Sequence, residues 1–337
     1  MKSNKTIIIA EAGTNHNGSL KLAKKLIDVA ADAKADFVKF QTSIPHLHIS
    51  KFAKQANYQI KNFKVKSFNQ LKMAEKLSLK YSDFLKLNNY CKKKSIKFLS
   101  TPFDLHSIDF LNKLNMNYFK IPSGEINNYP YLVKVAKLKK KIIMSTGMSD
   151  LTEIYKSVSV LKKFGVKNRN LILLHCNTEY PTPFDDVNLK AMILLKEKFR
   201  CKVGYSDHTN GIEVPIAAVA LGAEVIEKHL TLNKNMRGPD HRASIEPKDF
   251  KNMVKSIRNI EKSLGIKKKF ISKSEKKNIL IARPSIVAKK KIFKGDIFTE
   301  KNLTIKRPGN GISPMRWKKI LGKKAKQNFV EDEIIKL

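Results

Sequence analysis

Short apolar runs alternate with longer amphipathic segments over residues 1–265. Runs rich in β-branched and aromatic residues are typical of buried strands. Eight of them occur: TIIIAEA from Thr6, FVKFQT from Phe37, IKFLSTP from Ile96, YFKIPS from Tyr118, KIIMST from Lys141, LILLHCN from Leu171, KVGYSDH from Lys202 and VIEKHLT from Val225. Each run is followed by a segment whose apolar residues recur every three or four positions, as in a helix. The pattern predicts eight strand-helix units.

This alternation favours a parallel sheet, because strands that are separated by helices are buried on both faces. Eight units within residues 1–265 predict a (β/α)8 TIM barrel, and a doubly wound open sheet is the alternative. Polar residues lie at, or just beyond, the end of each strand. Barrel enzymes carry their active sites at that face. The polar residues therefore favour the barrel.

Three segments depart from this rhythm. Residues 43–80 are too polar for a core and too long for an ordinary βα loop, which predicts a lid or an oligomer contact. Residues 266–278 are basic and predict a linker. Residues 279–337 contain short β-like runs with Gly and Pro between them, and they predict a small β-rich domain that leans on the barrel.

The charge balance is strongly basic, with 67 Lys and Arg against 29 Asp and Glu. A net charge of +38 is compatible with a polyanion such as nucleic acid. However, only eight of the cations are arginines, the usual residue for base and phosphate forks, and the lysines are spread along the whole chain. We interpret the excess as a solvated surface, and we expect no specific nucleic-acid partner.

The same composition predicts a cytoplasmic protein without a membrane partner. No window approaches the ~20 apolar residues of a membrane span. The apolar run near the N-terminus, residues 6–10, is shorter than a signal-peptide core. Cys91, Cys176 and Cys201 contain no CxxC pair, which argues against a disulfide framework and fits a reducing compartment.

Two histidines end neighbouring predicted strands. His208 and His229 are 21 residues apart, which is too far for one helix face and suits one strand-helix repeat. If their strands are adjacent, ~4.8 Å apart, both imidazoles reach one point at the barrel mouth. With Asp207, Glu227 or Asp240 they could hold a divalent cation such as Mn²⁺, Zn²⁺ or Fe²⁺. Alternatively, each histidine is a hydrogen-bonded residue at the edge of the core.

Two lysines also end strands, in the apolar settings VKF and FKI. Lys39 and Lys120 would lie beside the hydroxyls of Thr101, Ser123 and Ser206, which predicts a pocket for a phosphate and a carboxylate. The alternatives are lysines that extend their ammonium groups to solvent and a Schiff-base nucleophile.

Two carboxylates at the same rim, Glu11 and Glu125, could each act as a base or bind a hydroxyl. Taken together, the residues predict a metal-assisted barrel enzyme that acts on an anionic, phosphorylated small molecule.

Several sequence blocks resemble the sialic acid synthase family. They follow the order of that family and cover nearly the whole chain: AEAGTNHNGSLKLAKKLID, KFQT, FLSTPFD, KIPSGEINNYP, STGMSD, HCNTEYPTP, GYSDHT, EKHLT, GPDHRAS and KRPGNGIS. The form of GPDHRAS and KRPGNGIS is more similar to the bacterial legionaminic acid synthases than to the N-acetylneuraminate enzymes.

The resemblance implies condensation of phosphoenolpyruvate with an N-acetylated mannose-type sugar, giving a nonulosonic acid and phosphate. His208 and His229 match metal ligands, usually for Mn²⁺, and Glu11 is the candidate for proton transfer. The phosphoenolpyruvate pocket would comprise Lys39, Thr101, Lys120, Ser123 and Ser206. The positions near the sugar or the reacting centre would be Glu11, Gln41, Glu125, Tyr180 and Asp240.

At HCNTEYP, the neuraminate enzymes often carry asparagine where Thr178 stands, so either Asn177 or Thr178 could contact phosphoenolpyruvate. The C-terminal part resembles an antifreeze-like (SAF) domain. In that family the arginine of KRPG, here Arg307, reaches the sugar site of the partner in a domain-swapped homodimer. From the residues alone, Arg307 would be a surface arginine in a Pro/Gly turn.

Two other functions stay open from the residues. A metal-dependent aldolase or isomerase on the same barrel would use the same histidines without releasing phosphate. A basic polyanion-binding protein would bind in a salt-sensitive way that does not need His208.

Overall fold

The computed structural model of the protein describes residues 5–63 and 69–337. The chain divides into two compact units, Met1–Gly265 and Ile266–Leu337. In the first unit, the strands are β1 Ile7–Gly13, β2 Phe37–Thr42, β3 Lys97–Pro102, β4 Tyr118–Ile121, β5 Lys141–Ser145, β6 Leu171–His175, β7 Lys202–Asp207 and β8 Val225–His229. Its helices are α1 Leu20–Asp32, α2 Asn57–Phe63, α3 Gln70–Leu77, α4 Tyr81–Lys93, α5 Leu105–Asn112, α6 Tyr129–Lys137, α7 Leu151–Lys163, α8 Lys190–Phe199, α9 Glu213–Ala220 and α10 Pro247–Ser263.

The eight strands form one parallel sheet that closes on itself. β1 pairs with β2 on one side and with β8 on the other, so the first and last strands are neighbours. The remaining pairs follow chain order, and β3 lies against β4. A doubly wound sheet would leave two open edges instead. The predicted (β/α)8 barrel is confirmed, and the open-sheet alternative is wrong.

The barrel core follows from the apolar runs. Ile8, Ile9 and Ala10 of β1 are fully buried, as are most residues of the other strands, because helices cover the outer face of the sheet. The helices start at residues that cap their free N–H groups: the side chains of Ser19, Asp104 and Asp150 each accept a hydrogen bond from the first turn. Because the strands are parallel and each is followed by a helix, their C-terminal ends all meet at one face of the barrel.

The long segment after β2 is not an irregular loop. It contains a short 3₁₀ turn at Pro45–Leu47, then α2 and α3, with residues 64–68 outside the described part. Asn69 caps α3, which buries Met73 and Leu77. The Asn62 amide donates to the carbonyl of Pro239, 2.8 Å away. This contact attaches the segment to the loop after β8. Whether the segment opens as a lid or contacts another subunit stays a prediction.

The second unit has its own small core, which includes Ile286, Phe298 and Phe329. Its elements are α11 Lys273–Ala282, β9 Ser285–Ala288, β10 Leu303–Lys306 and α12 Trp317–Ile320, with β9 and β10 antiparallel. The segment interpreted as a linker, residues 266–278, already contains the first part of α11. In the described part of the chain, no helix has both the length and the apolar character that crossing a bilayer requires.

A buried ion pair joins β7 to β8 close to the two histidines. The ammonium group of Lys228 donates to the carboxylate of Asp207 and to the carbonyl of Thr209, the latter at 2.8 Å. Asp207 also accepts from the backbone N–H and the hydroxyl of Thr209, at 3.0 and 2.8 Å. The Lys228 and Asp207 side chains are 1% and 0% exposed. Because water does not reach the pair, each charge is stabilised by the opposite charge and by the hydrogen bonds to Thr209.

We expect Lys228→Met to lower the free energy of unfolding by about 3–5 kcal/mol, because it leaves the Asp207 carboxylate buried without its counter-charge. Lys202→Met is the matched control: Lys202 pairs with Glu224 across the same two segments, but these side chains are 46% and 27% exposed. That pair should contribute less than ~1 kcal/mol. Urea unfolding followed by circular dichroism measures both. Equal losses of unfolding free energy in the two variants would contradict the prediction that the buried pair stabilises the fold more than the exposed pair.

Candidate active site

A cavity of about 500 Å³ opens at the C-terminal ends of the strands, and we call it the mouth cavity. It gathers most of the predicted site residues in one lining: Glu11, Lys39, Gln41, Thr101, Lys120, Ser123, Thr178, Tyr180, Ser206, His208 and His229. Strand geometry explains the convergence, since every second residue near the end of a parallel barrel strand points inward. The lining therefore combines residues from strands all around the barrel, from β1 to β8.

Four predicted residues lie elsewhere. Glu125 is half-buried and accepts a hydrogen bond from the amide of Asn128, 2.6 Å away. The side chain of Asn177 accepts from the backbone N–H of Glu179 at 2.7 Å, within its own loop. The sequence left open whether Asn177 or Thr178 contacts phosphoenolpyruvate. Of these two residues, Thr178 lines the mouth cavity. The other two are Asp240, which lines an adjoining cavity of about 260 Å³, and Arg307 of the second unit.

Arg307 directly follows β10 in the second unit and is exposed. The turn behind it is fixed, because the Ser285 hydroxyl donates to the carbonyl of Pro308 at 2.6 Å and Gly309 N–H donates to the carbonyl of Leu280 at 2.7 Å. Its predicted role at the sugar site of a partner subunit stays a prediction.

The floor of the mouth cavity is a chain of alternating charges. Lys39 lies 2.7 Å from Glu11 and 3.6 Å from Glu227, and Lys120 lies 3.2 Å from Glu227. Lys39 also donates to the hydroxyl of Thr101 at 3.1 Å. All four charged groups are at most 4% exposed. Buried charges persist only when paired in this way, so the array holds two ammonium groups ready for an anionic ligand.

Glu227 lines the mouth cavity together with both histidines, and its contacts to the lysines are the part that the sequence did not show. The sequence suggested it as one carboxylate near the histidines, whereas in the structure it bridges Lys39 and Lys120 and accepts from the Ser206 hydroxyl at 3.1 Å. A usable signal was present, because Glu227 is two residues from His229 in one strand and must share its face. Its partners, by contrast, come from strands on other sides of the barrel.

Two further lining residues were given no role from the sequence. Ser145, at the end of β5, accepts a hydrogen bond from Lys120 at 2.8 Å. Cys176 contacts the hydroxyl of Ser123 at 3.3 Å. Both follow apolar runs directly, which was the available signal.

The two carboxylates of the array differ in acidity. Burial raises the pKa of Glu11 to about 7, against the opposing charge of Lys39. Burial alone would also raise the pKa of Glu227, but Lys120 and Lys39 together lower it to about 2. Paired titratable groups whose pKa values are pushed apart are typical of acid-base sites. Glu11 is therefore able to exchange a proton near neutral pH, and Glu227 stays ionised.

The two histidines face each other as neutral imidazoles. Their ring centroids are 5.4 Å apart. Burial lowers the pKa of His208 to about 4 and that of His229 well below its usual value. His208 Nδ1 donates to the carbonyl of Asn177, which leaves the lone pair of Nε2 free. His229 Nδ1 is buried without a partner.

This arrangement fits a divalent cation. A metal-bound histidine usually donates its other ring nitrogen to a carbonyl or carboxylate, as His208 does here. In residues 5–63 and 69–337, however, no group of three or more His, Cys, Asp or Glu is collected around one point. Asp207 is held by Lys228, and Glu227 by two lysines. Both carboxylates are thus paired with ammonium groups in this structure, and the predicted carboxylate ligand stays a prediction.

Because barrel enzymes carry out their chemistry at this face, the fold and the mouth cavity define a (β/α)8-barrel enzyme. A profile of the NeuB family matches residues 26–269, and the SAF domain matches residues 283–337. The N,N'-diacetyllegionaminic acid synthase of Campylobacter jejuni is 58% identical over 98% of this chain and 99% of that protein. The corresponding synthase of Legionella pneumophila is 44% identical over 96% and 91%.

Among solved structures, the N-acetylneuraminic acid (sialic acid) synthetase of Leptospira borgpetersenii, in complex with citrate, superimposes with a TM-score of 0.72. It is 37% identical and covers 82% of this chain and 91% of its own. The chain belongs to the NeuB family of sialic acid synthases. It is accordingly a transferase of the nonulosonic acid synthase type, with a C-terminal SAF domain. The predicted resemblance and the predicted small domain are confirmed.

Proposed function

We propose that this enzyme condenses phosphoenolpyruvate with an open-chain, N-acetylated mannose-type amino sugar. The products are a nonulosonic acid and inorganic phosphate. The observation that carries the proposal is the pair of buried ammonium groups, Lys39 and Lys120, in the same cavity as two neutral histidines. Phosphoenolpyruvate needs cations for its phosphate and carboxylate, and a sugar aldehyde needs an electrophilic site beside them.

The condensation proceeds in three steps. The enol carbon of phosphoenolpyruvate uses its π electrons to form a bond to the aldehyde carbon, and the aldehyde oxygen takes up a proton. Water adds to the resulting cationic carbon and loses a proton. The carbon–oxygen bond to phosphate then breaks, phosphate leaves with the electron pair, and the adjacent hydroxyl loses its proton to become the ketone.

The residues of the mouth cavity have separate parts in these steps. Lys39 and Lys120 bind the phosphoenolpyruvate anion and stabilise the charge of the departing phosphate. Glu11, with its pKa raised to about 7, gives a proton to the aldehyde oxygen and recovers one from the water that adds. His208 and His229 would hold a divalent cation, Mn²⁺ for example, whose chemistry when bound is Lewis-acid polarisation of the aldehyde oxygen.

The test is phosphate release from phosphoenolpyruvate by metal-stripped protein, with Mn²⁺ added or withheld. We expect release only when both the cation and an N-acetylated mannose-type sugar are present, together with a product whose mass equals the sugar plus pyruvate. An aldolase or isomerase on the same barrel would release no phosphate from phosphoenolpyruvate. Folded protein that binds Mn²⁺ but releases no phosphate with any such sugar would contradict the proposal.

A further inference from the structure

Side chains along β7 and β8 alternate between the inner and the outer face of the barrel. Four residues at the strand ends face inward and line the mouth cavity: Ser206, His208, Glu227 and His229. Asp207 and Lys228 lie between them in the chain and opposite each other in the register of the two strands. The alternation therefore places this buried ion pair on the outer face, directly behind the two histidines.

His208 is the middle residue of a tight turn. The Asp207 carboxylate accepts a hydrogen bond from the backbone N–H of Thr209, two residues further on, at 3.0 Å. This contact is typical of an Asx turn. The Thr209 hydroxyl donates to the same carboxylate oxygen at 2.8 Å. The register between β7 and β8 ends at Asp207, so the turn begins where strand pairing stops.

Lys228 holds both ends of this turn. Its ammonium group donates to the Asp207 carboxylate and to the carbonyl of Thr209, the latter at 2.8 Å. These acceptors belong to the residues immediately before and after His208. Lys228 itself immediately precedes His229 in β8. It therefore connects the turn that presents His208 to the strand that presents His229.

The other contacts of the two histidines lead to different parts of the chain. The carbonyl of His208 accepts from the backbone N–H of Thr182 at 2.9 Å, and its ring donates to the carbonyl of Asn177. Both partners belong to the loop after β6. The carbonyl of His229 accepts from the backbone N–H of Ile245 at 2.8 Å, beyond β8. These contacts fix each histidine separately, whereas the buried ion pair fixes one relative to the other.

We propose that Lys228 is a positioning residue for the divalent cation: it sets the separation of the two imidazoles without contacting the cation itself. The inference rests on the cation-binding part of the proposed function. The imidazole centroids are 5.4 Å apart. Metal–ligand distances vary by only about ±0.2 Å within a working site, so a small shift of the His208 turn removes one ligand from the cation.

The test uses two variants and one control. Lys228→Met removes the contact to the turn but leaves a buried carboxylate without its counter-charge. The double variant Asp207→Asn/Lys228→Met removes both charges, and the amide can still accept from Thr209, so it carries the test if the single variant unfolds. Lys202→Met is the matched control. Lys202 begins β7 and pairs at 2.7 Å with Glu224, directly before β8. That exposed pair joins the same two strands at their other ends.

Electron paramagnetic resonance follows the titration of each metal-stripped protein with Mn²⁺ alone. We expect the two Lys228 variants to keep the wild-type number of sites while the Kd for Mn²⁺ rises by about tenfold or more, as for the loss of other outer-shell partners. Pulsed measurements should show coupling to two histidine nitrogens in the wild type and in Lys202→Met, and a weakened or missing second coupling in the Lys228 variants.

A merely structural role for Lys228 would lower the number of sites, in proportion to the unfolded fraction, at an unchanged Kd. That result would overturn the inference, as would wild-type Kd and both couplings in the double variant, or a wild type without histidine coupling.

Phosphate release by the wild type, measured beside the titration, separates the two claims. Mn²⁺-dependent release together with an unchanged Kd in the variants would leave the proposed function standing and the inference overturned. No release with any N-acetylated mannose-type sugar, although the Lys228 variants lose Mn²⁺ affinity as expected, would sink the proposed function and support the inference.

Discussion

Lys120→Met is expected to lower sugar-dependent phosphate release by about 10³-fold, because the ammonium group stabilises charge on the departing phosphate. Lys120 is held in place by Glu227 at 3.2 Å and Ser145 at 2.8 Å. Its contribution is therefore pre-organised and should be larger in the transition state than in the bound substrate. For that reason kcat should fall more than the KM for phosphoenolpyruvate rises.

The variant should still fold, because Glu227 keeps two partners: Lys39 at 3.6 Å and the Ser206 hydroxyl at 3.1 Å. Lys141→Met is the matched control. Lys141 begins β5, at the opposite end of the barrel, and is exposed. Its phosphate release should stay within about twofold of wild type, as is usual for a surface substitution. If Lys120→Met also stays within that range, Lys120 does not act on the phosphate.

His208→Gln and His229→Gln are each expected to lower Mn²⁺-dependent phosphate release by about 10³-fold, because each removes one of two imidazoles that would hold the cation. The affinity for Mn²⁺, measured by electron paramagnetic resonance, should fall by about 100-fold or more, since loss of even an outer-shell partner costs 10–100-fold. Both residues lie at the ends of adjacent strands, β7 and β8. In each variant, the remaining histidine is not expected to hold the cation alone.

His106→Gln provides the comparison, since His106 is exposed on α5 and is not among the residues that line the mouth cavity. It should bind Mn²⁺ and release phosphate as the wild type does. Circular dichroism checks that the three variants are folded. Wild-type Mn²⁺ affinity in His208→Gln and His229→Gln would support the other interpretation of these histidines, as hydrogen-bonded residues at the edge of the core.

The strands and their order could be predicted because each signal is local. A run such as IIIA needs burial on both faces, and eight such runs with helices between them have few ways to pack. The convergence of Lys39, Thr101 and Lys120 follows in turn, because parallel strands end at one face. Predictions of this kind need no knowledge of which strand lies opposite which.

Other features depend on pairing across the barrel, which the sequence does not display. Glu227 bridges two lysines only because β8 returns beside β1 and faces β4. Glu125 was predicted to lie near the sugar or the reacting centre, and Asn177 was one of two candidates for contact with phosphoenolpyruvate. In the structure, the side chains of both bind groups two or three residues away. Short polar side chains often prefer such local hydrogen bonds. The helices of the polar segment after β2 were not predicted for a similar reason: α3, for example, packs through Met73 and Leu77, which are buried only in the folded protein.

The strand ends and the segment after β2 are separate parts of the chain. The residues proposed to carry the reaction lie at the strand ends, whereas α2 and α3 are inserted between β2 and α4 and meet the loop after β8 at Pro239. Substitutions in these two helices therefore leave the strand-end residues in place. Exchange of residues 43–80 between two relatives would show what this segment contributes without altering the strand ends.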